Sequence, residues 1–221
     1  MPDSKDVLCS VSVDRQLIFW DLRIGTSPVI RLKDVHKSDI NTVDWSALNP
    51  NLLATGSEDT VVKIIDIRRA YNYDSISNPI IKSLHKHKSK VQGVKFSPFN
   101  SRYLASSGDS LIFWDLKNTY DPNFKEPVAS KSGITNIECK NYCSEELDSE
   151  DHVILNHIGH IGMVNDFDWN HLSEWSVISA SDDPIPFATM QRNNDCSMQI
   201  FRPLDLLVMD EEEAIEQMAD E

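Results

Sequence analysis

The sequence predicts an all-β fold: a partial, open β-propeller of about four blades, with a short C-terminal helix. Three observations carry this expectation. A unit of about 45 residues repeats along the 221-residue chain. Each unit contains about four short β-type runs between turn signals, and each opens near a His and closes near a Trp-Asp or its substitute.

The repeat is visible by direct alignment. LCSVSVDRQLIFWDLR (8–23) lies over LATGSEDTVVKIIDIR (53–68) without a gap, so that Asp14 meets Asp59, Asp21 meets Asp66 and Arg23 meets Arg68. YLASSGDSLIFWDLK (103–117) follows with a two-residue deletion before Asp109. HKSDINTVDWS (36–46) and HKSKVQGVKFS (87–97) form a second shared block, and GHIGMVNDFDWN (159–170) begins a fourth copy that closes on SMQIFRPLD (197–205). The second unit reads as strands over 40–45, 52–57, 61–66 and 79–84, by alternation or short apolar runs. Such units are WD40 propeller blades. The predicted repeats cover about 1–33, 34–84, 85–157 and 158–203, with residues 204–221 as an acidic helical tail. PDSKDVLC (2–9) aligns with PFNSRYLA (98–105), so Met1 is expected to lie inside a blade. The last blade is expected to end on its third strand, giving two complete and two partial blades.

Within a blade, an Asp in the turn between the second and third strands can hold the blade's opening His. That His in turn reaches a hydroxyl and the Trp of the third strand, because buried polar groups need partners. The expected pairs are His36 with Asp59 and His87 with Asp109, and His160 opens the fourth copy. Trp20 and Trp114 keep the aromatic place, while Ile65 and Phe201 replace it.

Composition bounds the function. Hydrophobic residues at 40% and charged residues at 25% describe a globular chain. No run of eighteen apolar residues exists to span a membrane, and four unevenly spaced cysteines argue for a reducing compartment. The net charge of -14 is concentrated in SEELDSED (144–151), with five acids, and in 205–221, with eight; the rest holds 22 acids against 21 bases. That distribution lacks the basic face nucleic acid requires and suits a basic partner. No phosphate loop, nucleophile elbow or HExxH motif appears, so no enzyme and no cofactor is predicted. Cys139, Cys143, His152 and His157 have zinc-ligand chemistry, but their spacing is shorter than a finger's.

DLRIGTSPVIRLKDVHKSDINTVDWSALNPNLLATGSEDTVVKIIDIRR (21–69), VQGVKFSPFNSRYLASSG (91–108) and GHIGMVNDFDWNHLSEWSVISASDD (159–183) closely resemble the MSI-type, retinoblastoma-binding histone chaperones. GTSPV (25–29) and the long insert in the last blade look most like the plant flowering-time, FVE-like branch. The resemblance implies the C-terminal part of a seven-bladed propeller without enzymatic activity. It further implies a nuclear protein that binds core histones within chromatin-assembly, deacetylase or Polycomb-type complexes. Two histone surfaces follow from it. One is the top face, here Asp39, Asn41, Lys90, Gln92 and Asn165. The other involves the acidic loop, here Glu145, Glu146, Asp148, Glu150 and Asp151. Lys90 stands where the family usually has an acid, and the usual Pro-Pro pair of the loop is replaced by Glu150 and Asp151. A second binding role is open. The box over residues 8–23, with Asp14, Trp20, Asp21 and Arg23, resembles those of propellers that dock onto cullin-type ubiquitin ligase adaptors. The same residues serve many propellers for folding alone, and a generic interaction scaffold is the third reading.

Overall fold

In the computed structural model the described residues are 4–70, 78–117, 119, 135–138, 152–182 and 196–202. They form four separate sheets that do not close into a barrel, and the only helix among them is the single turn Ile67–Ala70. No helix there is long and apolar enough to cross a membrane.

The second sheet is built from β4 (Ile40–Trp45), β5 (Leu52–Ser57), β6 (Val61–Asp66) and β7 (Ile80–His85), in that order and antiparallel throughout. β5 and β6 are buried along their whole length, because both faces of the sheet are covered by neighbouring sheets. The third sheet repeats the plan with β8 (Gly93–Phe96), β9 (Tyr103–Ser107), β10 (Leu111–Asp115) and β12 (Val153–His157). The fourth holds β13 (Met163–Trp169), β14 (Val177–Asp182) and β15 (Cys196–Phe201). In the first, β1 (Val7–Val11), β2 (Leu17–Asp21) and β3 (Ile30–Lys33) are joined by β11 (Thr135–Glu138). β11 runs parallel to β3, in a sheet otherwise antiparallel, and the repeat pattern gives no hint of it. The acidic loop 144–151 and the tail 204–221, with its expected helix, lie outside the described residues.

Three apolar layers hold the sheets face to face. Leu17, Phe19, Leu32, Leu53 and Ile65 fill the first interface, and Ile64, Leu84, Leu104, Ile112 and Trp114 the second. Phe113, Phe167, Trp169 and Val177 fill the third. The repeat recurs in the packing: Phe19 meets Trp45 edge-on at 5.6 Å, and Phe113 meets Trp169 edge-on at 5.6 Å, from equivalent positions. Edge-to-face pairs add roughly 0.5–1.5 kcal/mol beyond burial. Gly56 sits where a Cβ would lie 2.5 Å from Val91 Cγ1, so only glycine lets the second and third sheets approach this closely.

Hydrogen bonds set the register between sheets. The start of each inner strand donates to the turn of the sheet before it: Ile40 N to Ser12 O, Val91 N to Ser57 O, and Val164 N to Gly108 O. Asn41 Nδ2 donates to Val91 O, and the Phe96 amide to Asp44 Oδ2 at 2.7 Å. Interface packing therefore governs stability. Trp114→Ala should cost about 3–5 kcal/mol in urea unfolding, as large-to-small core changes do. Leu48→Ala, in an exposed turn, should stay within about 0.5 kcal/mol. Equal losses would contradict this assignment of the core.

Candidate functional site

The polar framework at one end of the sheets begins with a buried histidine. His36 Nδ1 lies 3.1 Å from both carboxylate oxygens of Asp59, and its Nε2 lies 2.9 Å from Thr55 Oγ1. Asp59 also accepts from the amides of Lys37 and Val61, so it ties the approach to β4 onto the β5–β6 turn. His87 repeats this with Asp109 at 3.0 Å and Ser106 Oγ at 2.7 Å. There Trp114 Nε1 donates to the same Ser106 oxygen. One donor direction satisfies the whole chain: indole to hydroxyl, hydroxyl to Nε2, and Nδ1–H to carboxylate. In the fourth sheet His160 reaches Ser179 Oγ at 2.7 Å and Ser197 Oγ at 2.8 Å, while Asp183, at the place of the turn carboxylate, lies outside the described residues.

Ser106, His87 and Asp109 share the connectivity of a catalytic triad. Ser106, however, is wholly buried and its oxygen is already occupied by the indole, so it cannot attack a substrate. The arrangement is a latch.

Burial would raise the Asp59 carboxyl, yet the His36 bond and the Lys37 and Val61 amides outweigh it and hold it at about 2. Asp109 is likewise brought to about 2, against its burial, by His87 and the Lys88 amide. Burial pushes His36 below its ordinary 6.5 despite the neighbouring carboxylate.

The latch fixes the rim around the inner-strand starts. Asn41 is the extra residue of a bulge between Ile40 and Thr42, and Asn165 of one between Val164 and Asp166. Gln92 occupies the equivalent place, its amide bonded to Ser107 O. Bulges re-aim side chains, so three carboxamides stand at one repeated position on adjacent sheets. Asn41, Lys90 and Asn165 are exposed, whereas Asp39 and Gln92 are half-buried. Glu145, Glu146, Asp148, Glu150 and Asp151 lie outside the described residues.

In the 8–23 box, Asp14 Oδ1 accepts from the Gln16 amide and Trp20 Nε1 donates to Ser10 Oγ. Arg23 grips Asp21 with both fork nitrogens at 2.9 and 2.6 Å, and this holds Asp21 at about 2. Arg68 grips Asp66 identically but buried. In the third sheet Lys117 stands at the Arg place, and Arg102 chelates Asp115 instead. His152 and His157 bond Asp115 O and Gln199 Oε1, while Cys139 and Cys143 lie outside the described residues. No group of three metal-binding side chains occurs among the described residues.

Sequence reasoning missed a line of charges on the inner strands. Asp44, Lys95 and Asp168 each precede the aromatic that ends the strand, and Lys95 Nζ pairs with Asp168 at 3.1 Å. Their shared place before Trp45, Phe96 and Trp169 was the available signal.

A family model described as "WD domain, G-beta repeat" matches residues 27–66 and 78–115. The chain is 33% identical over 218 residues to the WD-40 repeat-containing protein MSI4 of Arabidopsis thaliana, covering 98% of this chain and 38% of that protein. It is 25% identical over 178 residues to the histone acetyltransferase type B subunit 2 of Debaryomyces hansenii, covering 80% of this chain and 39% of that one. To the RbAp48-related WD40 repeat-containing protein prw1 of Schizosaccharomyces pombe it is 31% identical over 122 residues, 52% of this chain and 27% of that one. The chain therefore spans well under half the length of these relatives.

The latch has a measurable acid limit. Asp59 and Asp109, depressed from 3.8 to about 2, contribute stability that is complete above 3.8 and lost as pH falls toward 2. His36, depressed below 6.5, adds a contribution that is complete above 6.5 and shrinks as pH drops below it. The urea midpoint should therefore fall in two stages on acidification. Asp59→Ala should cost about 1–3 kcal/mol at pH 7, as loss of a buried group's partner does. A midpoint flat from neutrality down to pH 3 would contradict the latch.

Proposed function

Because the chain belongs to the WD40-repeat proteins of the MSI type, we propose that it is a non-enzymatic, histone-binding scaffold. In this reading it acts in the nucleus as a subunit of chromatin-assembly, deacetylase or Polycomb-type complexes and thereby regulates transcription. One similar protein is, by its name, a subunit of a histone acetyltransferase, which supports a place in a chromatin complex.

The observation that carries the reading is charge and shape together. Core histones are basic, and a loop with five acids in eight residues raises the encounter rate with a basic partner. The carboxamides of Asn41, Gln92 and Asn165 both donate and accept, which suits the backbone of an extended tail laid across the rim. Asp39 adds a negative charge beside them, and Lys90 a positive one that favours tails with a local acid or a free carbonyl.

Neutralising Glu145, Glu146, Asp148, Glu150 and Asp151 to Gln and Asn tests this with core histones. Exposed pairs contribute roughly 0.2–1 kcal/mol each, so five should weaken binding by about fivefold or more at low salt. Unchanged affinity would remove the loop from the site. Arg23→Ala separates histone binding from the ligase-adaptor alternative: adaptor binding should be lost while histone binding stays. An equal loss of histone binding would make the Asp21–Arg23 grip a folding device only.

A further inference from the structure

The end of the sheets opposite the latch carries a second surface of the contrary character. The turns there join each inner strand to its neighbour: residues 46–51, 97–102 and 170–176. Aligned by repeat, Leu48, Phe99 and Leu172 fall at the same turn position, and they are 52%, 36% and 97% exposed. Turn tips ordinarily carry Gly, Pro, Asn, Asp or Ser. One exposed apolar residue needs no explanation, but a repeated one beside a cavity marks a contact surface.

The cavity lies between the second and third sheets and holds ≈ 190 Å³. Its floor is apolar, from the buried Leu52, Ile64 and Leu116, and its rim carries Arg102 and Lys117. Asn49 and Ser101, from the turns that bear Leu48 and Phe99, complete the mouth. Small-molecule sites occupy roughly 300–1,000 Å³, so this one has room for a single aliphatic side chain rather than a metabolite. Asp115 is consumed by its chelate with Arg102. Among the described residues, Lys117 then leaves the rim with a net positive charge, on a chain whose total is -14.

From this combination we propose that the latch-distal cleft binds an acidic peptide segment of a partner protein. A Leu or Ile enters the cavity, a neighbouring carboxylate pairs with Lys117, and flanking apolar groups rest on Leu48 and Phe99. The surface is separate from the rim, so a histone on the rim and an acidic partner in the cleft can be held together. The inference does not depend on the histone reading.

Fluorescence anisotropy with the full chain and a labelled, capped Glu-Asp-Leu-Asp-Glu peptide tests it. Saturable binding below about 1 mM is expected, weakened about tenfold or more when the peptide's leucine becomes serine. Lys117→Glu and the pair Leu48→Ser with Phe99→Ser should each cost about tenfold, while Lys117→Arg stays within about threefold. All are surface changes, and an unaltered thermal melt verifies the fold. Core-histone binding should be unmoved by them. No anisotropy change, equal binding of the serine peptide, or indifference to Lys117→Glu would overturn the proposal.

Discussion

A sheet whose two faces are both apolar is stable only when each is covered. Every other feature of this chain depends on that constraint. The repeat answers it by standing sheets face to face, so that β5 and β6, inside the stack, are buried along their whole length. The three apolar layers supply the driving force, at about 25 cal/mol per Å² of apolar surface removed from water. Directional elements then choose one register from many: the amide bonds handed from sheet to sheet, the Phe19–Trp45 and Phe113–Trp169 contacts, and the close approach at Gly56.

Polar groups inside that stack are costly unless satisfied, and the His latches satisfy them without opening the fold. Their consequence is positional. Asp59 and Asp109 each hold a His, a following amide and a turn together, so the residues just beyond are presented on a fixed frame. In the proposed reading, function lies in such presented residues. One end displays carboxamides and mixed charge, and the other apolar turn tips above a cationic cleft. Two ends with different chemistry are what a scaffold requires.

The repeat made much of this legible. Strands expected over 40–45, 52–57 and 61–66 match β4, β5 and β6. Burial on both faces leaves β5 and β6 as mostly apolar or small-residue runs, while β4, buried only at Ile40, shows itself by its place in the repeat. The fourth, expected at 79–84, runs from Ile80 to His85, since Asn78 caps the Ile80 amide and Pro79 has no amide to give the ladder. His36 and His87 meet the aspartates that alignment set opposite them. β11 was not legible: four residues pairing in parallel with a strand a hundred positions earlier leave no local pattern. Ser197 as a partner of His160 was hidden as well, because it lies 37 residues on, beyond an insert the other copies lack. The turn-tip residues were visible in the alignment, but only their exposure gives them meaning.

Hydrogen–deuterium exchange of the chain with and without core histones tests the central claim most directly. Slowed exchange is predicted at the rim, around residues 39–41, 90–92 and 165, and across the acidic segment 144–151. The turns at 46–51 and 97–102 should be unchanged. Protection confined to those turns, or none at the rim and the acidic segment, would contradict the account.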